Sequence, residues 1–186
     1  MTNEIGAGHG PRLWRIALWG AAAAFLLLPA AAMQFTAEMS WGLGDFVIWG
    51  FMLLAACGAV ELSSRTSGAY RVAVAVAAAA AFLLVWINLA VGMIGDEGNP
   101  ANLMFAGVIA VALIGAALAR GRARGLADAM SAAAFAQALA GIVALAFGWG
   151  ARSPLWPWHI LAATIVFSGL WLLSAELFRR AARAGP

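Results

Sequence analysis

The chain has 186 residues, of which 65% are hydrophobic and 10% charged, with a mean hydropathy of +0.91. A water-soluble domain carries about a quarter charged residues, so this composition excludes one and makes lipid the solvent for most of the chain. The net charge is +3 with no lysine, and the eleven arginines are scattered over short segments, without the single basic face that nucleic-acid binding uses.

The polar, glycine-rich start is followed by Arg12 and Arg15 and then by 22 uncharged residues, 16–37. Ala30, Ala31 and Ala32 loosely fit a signal-peptide cleavage site, but this run is long enough to span and reads as an uncleaved first helix. Further uncharged runs occupy 72–95, 98–119, 129–151 and 153–175, and a shorter one, 46–60, continues to Arg65 if Glu61 lies at its end. A hydrocarbon core of ~30 Å takes ~20 helical residues at 1.5 Å each, so each run is one crossing. The runs are too long and too unalternating for barrel strands.

The expected fold is therefore all-α, a polytopic membrane protein with a bundle of six transmembrane helices near 13–35, 46–65, 71–95, 101–120, 127–149 and 157–178. Residues 1–12 read as a flexible cytoplasmic N-terminus and 181–186 as a cytoplasmic tail. Pro29 is expected to kink the first helix. Ten arginines fall on one side of these crossings and Arg152 alone on the other, with Glu38, Asp45, Asp96 and Glu97. The positive-inside rule then places both termini in the cytoplasm. Trp41, Trp149, Trp156 and Trp158 near the outer boundary, and Trp14 and Trp19 near the inner one, fit the interfacial preference of indole. Cys57 is the single cysteine, so no intrachain disulfide and no thiolate cluster is available.

The most distinctive stretch is 86–102, WINLAVGMIGDEGNPAN. Its core, Asn88-LAVG-Met93-IG-Asp96-Glu97-Gly98-Asn99-Pro100-Ala101-Asn102-LM, resembles the signature of a family of small multi-pass bacterial inner-membrane proteins. The upstream Trp41 and Asp45-Phe46 and the downstream LWLLSAELFRR are similar too. The resemblance implies multi-pass localisation in the bacterial inner membrane and brings no activity with it.

Two groups of residues carry candidate chemistry. Asn88 lies eight residues before Asp96, about 12 Å below the outer boundary, and Gln137 lies twelve residues before Trp149, about 18 Å below it. With Trp86, slightly deeper than Asn88, they form a candidate midplane polar site, either interhelical hydrogen bonds or a solute site. Asn88, Gly92 and Gly95 fall at i, i+4 and i+7, a small helix face for close packing.

The second group is Asp45, Asp96, Glu97, Asn99 and Asn102, with Glu38, an oxygen-rich outer cluster suited to Ca²⁺ or Mg²⁺ and not to zinc or copper. The same residues also make a plain turn, with Asn99 as N-cap and Pro100 at the first helical position. Glu61 is placed to pair with Arg65 or Arg71, and Glu176 with Arg180. His159 has no second histidine inside the bundle for haem, and no nucleotide, zinc-protease or hydrolase motif occurs, so no enzyme is expected.

The functional expectation is a structural or accessory membrane protein, with the lipid bilayer and a second copy or a larger membrane complex as partners. The alternative is a transporter or channel for a small solute or cation, with the acidic outer mouth at its entrance. In the topology test, a reporter fused after Arg183 is expected to read as cytoplasmic and one inserted at Gly98 as external. The opposite signs overturn the charge assignment.

Overall fold

The computed structural model describes residues 10–35 and 41–184, with side chains from Leu13 onward. His9, Glu38, the expected flexible residues 1–9 and the last two residues of the tail lie outside the described residues. Six helices follow in order: α1 (Gly10–Ala32), α2 (Leu43–Leu62), α3 (Gly68–Ala90), α4 (Leu103–Ala119), α5 (Ala123–Ala146) and α6 (Trp158–Arg183). Each is long and apolar enough to cross a membrane, and no strand occurs among the described residues. The all-α, six-span expectation stands.

Two boundaries differ in ways that matter. α3 ends at Ala90 and not near 95, because Gly92 and Gly95 take φ of +71° and +77°, which no right-handed helix accommodates. The proposed small face of Asn88, Gly92 and Gly95 therefore does not exist. α6 continues to Arg183, so the first residues of the expected tail are helical. Glu176 holds that last stretch by pairing with Arg180 at 3.3 Å, as expected, and with Arg183 at 2.8 Å.

The chain divides into two compact units, Met1–Leu62 and Ser63–Pro186. In the first, α1 runs unbroken through Pro29. Proline has no N–H, so the carbonyl of Phe25, four residues earlier, loses its helical donor. In lipid that orphan must be met inside the protein. The buried Trp49 of α2 meets it, with Nε1 donating to Phe25 O at 2.8 Å. Trp41 packs edge-on to Trp49, with ring centroids 5.9 Å apart. At the far end Glu61 pairs with Arg15 and accepts from Trp19 Nε1 at 2.9 Å. This corrects the expected Arg65 and Arg71 pairings. The α-helix stops at Leu62, so Arg65 leaves the i+4 position in a 3-10 turn, Ser63–Arg65.

In the second unit the packing order is α4, α5, α6, α3, and α3 touches α4 only sparsely. Small residues set the spacing. A Cβ at Gly141 would collide with the Thr164 hydroxyl, and one at Gly115 would lie 2.6 Å from Ala129 Cβ. Alanines fill the buried face of α5, among them Ala133, Ala134, Ala140 and Ala144. Close backbone approach of this kind supplies the van der Waals contact on which helices in lipid rely. Hydroxyls then tie the helices to one another's backbones: Ser174 Oγ donates to Ala73 O at 2.9 Å, and Tyr70 Oη to Gly121 O at 3.1 Å.

The Pro29 and Trp49 pairing predicts a non-additive cycle. Trp49→Phe is expected to cost about 1–3 kcal/mol by stranding the Phe25 carbonyl. The cost is expected to be markedly less in a Pro29→Ala background, where the substituted residue brings back the missing backbone N–H. Denaturation of the four proteins in detergent reads this. Equal costs in both backgrounds would sink the assignment.

Candidate functional site

Residues 86–102 fold as the end of α3, a glycine turn and the 3-10 turn Pro100–Asn102 that leads into α4. After Gly92 the chain turns back on itself and leaves Met93 and Ile94, both buried, with backbone N–H groups that no helix satisfies. Asn102 takes both. Its Oδ1 accepts from Met93 N at 3.1 Å and Ile94 N at 2.8 Å, while its Nδ2 donates to Asp96 O at 2.7 Å. A side chain at Gly92 would run into the Asp96 carbonyl and lie 2.7 Å from Asn102 Nδ2. Asn99 caps the following turn, accepting from Ala101 N at 3.0 Å, with Pro100 next in line.

A groove of about 440 Å³ opens beside this turn, where α3 and α4 diverge. Leu84, Asn88, Glu97, Asn99, Leu103 and Ile109 are among its walls. It is mostly apolar, with its polar groups toward the turn. Four sequence-predicted residues, Asn88, Glu97, Asn99 and Asn102, are thus brought to one place.

Two of the expected cation ligands are already engaged by the backbone. Both lone pairs of Asn102 Oδ1 are engaged by backbone donors, and Asn99 Oδ1 is engaged by Ala101. Asp96 and Glu97 are exposed. Asp45 belongs to the other unit, where its Oδ2 accepts from Gly42 N at 2.8 Å. Among the described residues, no group of three or more His, Cys, Asp and Glu side chains is placed to hold a metal ion.

The candidate midplane residues lie on α3 and α5, which are not neighbours in the packing order. With α3 ending at Ala90, Asn88 lies two residues, about 3 Å, from the helix end, while Gln137 lies nine residues, about 13 Å, from Ala146. Asn88 Nδ2 bonds back to Leu84 O at 2.8 Å, and Trp86 is half-buried one position along the same turn as Ile87. Gln137 instead faces α6, between Ala134, whose carbonyl accepts from Ser168 Oγ at 3.4 Å, and Gly141, which abuts Thr164.

Gln137 is fully buried, and among the described residues neither amide atom has a hydrogen-bond partner. Trp171, 1% exposed, lies on the α6 stripe that carries Thr164 and Ser168, and its Nε1 also has none. Asn88 Oδ1 and both ring nitrogens of His159 share that condition. Sequence reasoning missed Trp171 and Ser174. Their signal was position, since both sit within the last uncharged run and its buried stripe of Phe167, Trp171, Ser174 and Phe178, away from the edges where interfacial tryptophans belong.

Asn102→Ala is expected to strand the Met93 and Ile94 donors, at about 1–3 kcal/mol each. Asn102→Asp keeps the acceptor and is expected to lose less. Thermal unfolding in detergent distinguishes them, and equal loss would show that the acceptor is not what holds the turn.

No protein-family model, no curated protein and no solved structure matches the chain.

Proposed function

We propose that this is a structural or accessory protein of the bacterial inner membrane, with both termini in the cytoplasm, that works through helix contacts with itself or with a larger membrane complex. The observation that supports it is where the polar side chains of the spans go. Trp49, Asn88, Ser131, Ser168 and Ser174 all donate to main-chain carbonyls of their own or a neighbouring helix. Those of Trp49, Ser168 and Ser174 tie helices together, and those of Asn88 and Ser131 close within their own helix. No span carries a carboxylate or guanidinium in its middle, the feature that ion-coupled transport uses. The likeness of the 88–104 stretch to a family of small multi-pass proteins points the same way.

A second reading, a site for a small neutral solute, rests on the Gln137 amide and the Trp171 N–H. A buried polar atom without a partner costs about 1–3 kcal/mol, which a hydrogen-bonding solute between α5 and α6 would offset.

Gln137→Leu separates the two readings. Under the first, removing an unsatisfied amide leaves the melting temperature unchanged or raised, and proteoliposomes of wild type and variant pass neutral solutes at equal rates. A wild-type flux abolished in a folded Gln137→Leu protein favours the second. The first reading also expects a detergent-free nanodisc extract to hold more protein per particle than one 19.2 kDa chain, once lipid and belt are subtracted. A single chain under every condition would overturn it.

A further inference from the structure

The arginines of the Ser63–Pro186 unit are of two kinds. Those of α6 have partners: Arg180 and Arg183 pair with Glu176, and Arg179 donates to Ser131 Oγ at 2.7 Å. Arg120, Arg122 and Arg124 lie in and just after the turn between α4 and α5, with exposed side chains that make no hydrogen bond or ion pair among the described residues. Arg71 is exposed and unpaired in the same way. The hydrogen bond from Tyr70 Oη to Gly121 O, 3.1 Å long, clamps the start of α3 onto this turn. It therefore draws Arg71 toward Arg120 and Arg122, which flank Gly121 in the chain. The turn itself is fixed by Arg120 and Gly121 at φ of 48° and 78°, with Arg122 N returning to Ala119 O at 2.9 Å.

The Tyr70–Gly121 bond brings together the two chain segments that carry these four like charges, and Asp128, one turn after Arg124, is exposed and takes part in no ion pair among the described residues. Such a surface is complete only with an anion. Exposed Leu118 and Val72 stand one turn or less from Arg120 and Arg71, on the spans themselves. Apolar side chains below and guanidinium groups above match an amphiphile with an acidic head, and planar guanidinium groups fit a phosphate by paired hydrogen bonds. Basic pockets between membrane helices bind such head groups, and each arginine near the surface adds to the attraction.

We propose that Arg71, Arg120, Arg122 and Arg124 form a binding site for the phosphate head group of an anionic phospholipid of the bilayer. The selectivity is local. The arginines at the end of α6 differ in that Glu176 and Ser131 already take hydrogen bonds or ion pairs from them.

The test uses the full chain purified in dodecyl maltoside with phosphatidylcholine, titrated with phosphatidylglycerol while the melting temperature is followed. A ligand that binds only the folded protein raises it saturably. Wild type is expected to show that rise. Replacing all four arginines with glutamine is expected to raise the half-saturating phosphatidylglycerol fraction at least tenfold. The four corresponding lysine replacements keep the charge and lose the paired hydrogen bonds, so their half-saturating fraction is expected to fall between those of wild type and the glutamine variant, while Arg179→Gln, Arg180→Gln and Arg183→Gln together are expected to retain most of the wild-type response. Glycerol phosphate without acyl chains is expected to give no shift.

An equal loss in the α6 variant would mean general attraction of a basic surface and would overturn the site. A full response to glycerol phosphate would overturn the lipid as its ligand. If the glutamine variant does not fold, the lysine and α6 variants decide the matter between them. A lysine set that responds as fully as wild type, or loss of the response in the α6 set, counts against the proposal.

Discussion

The amide of Asn102 makes three hydrogen bonds to the turn that precedes it, and the passage of the chain from α3 to α4 depends on them. A chain leaving a helix inside or near hydrocarbon exposes backbone groups that water does not reach, and each must find a partner in the protein. Here one side chain supplies an acceptor for two donors and a donor for one acceptor. With those met, Met93 and Ile94 enter the core as buried apolar residues, and α3 and α4 diverge from a fixed point. The groove is the space that this divergence leaves. Trp49 performs the same service in the other unit, where Pro29 opens a gap in the α1 ladder.

Charge placement made the six spans legible, because an unpaired charge in lipid is costly and therefore marks the ends of each crossing. The same rule misled at the end of α3. Glycine is uncharged, so residues 91–95 read as more helix, and the two positive φ angles there become necessary only in view of Asn102, a residue the chain reaches several positions later. Asn88 therefore sits close to the end of its helix. Gln137 was different, since α5 continues to Ala146, nine residues beyond it.

Partners across helices were the least legible feature. Glu61 looked toward Arg65 because local spacing is all that a sequence displays, whereas Arg15, from the preceding helix, lies closer in space. The acidic and amide oxygens near residue 99 suggested a cation because composition does not reveal which oxygens the backbone has already claimed. Asn102 and Asn99 are spent on the turn, and only exposed carboxylates remain. Trp171 was hidden for the opposite reason: an indole in the middle of a span resembles ordinary bulk until its N–H is seen to meet nothing.

Four of the ties end on main-chain carbonyls and not on other side chains: Phe25, Ala73, Gly121 and Ala134 all accept through their backbones. An acceptor of that kind exists whatever residue occupies the position. Each tie thus constrains the chemistry of one residue, and of its opposite number only the size. A mutation of Ala73 to serine or glycine leaves the Ser174 bond intact, where a paired side chain would have demanded a simultaneous second change. Sequences of this design can drift far along their small-residue faces while the helix spacing stays constant.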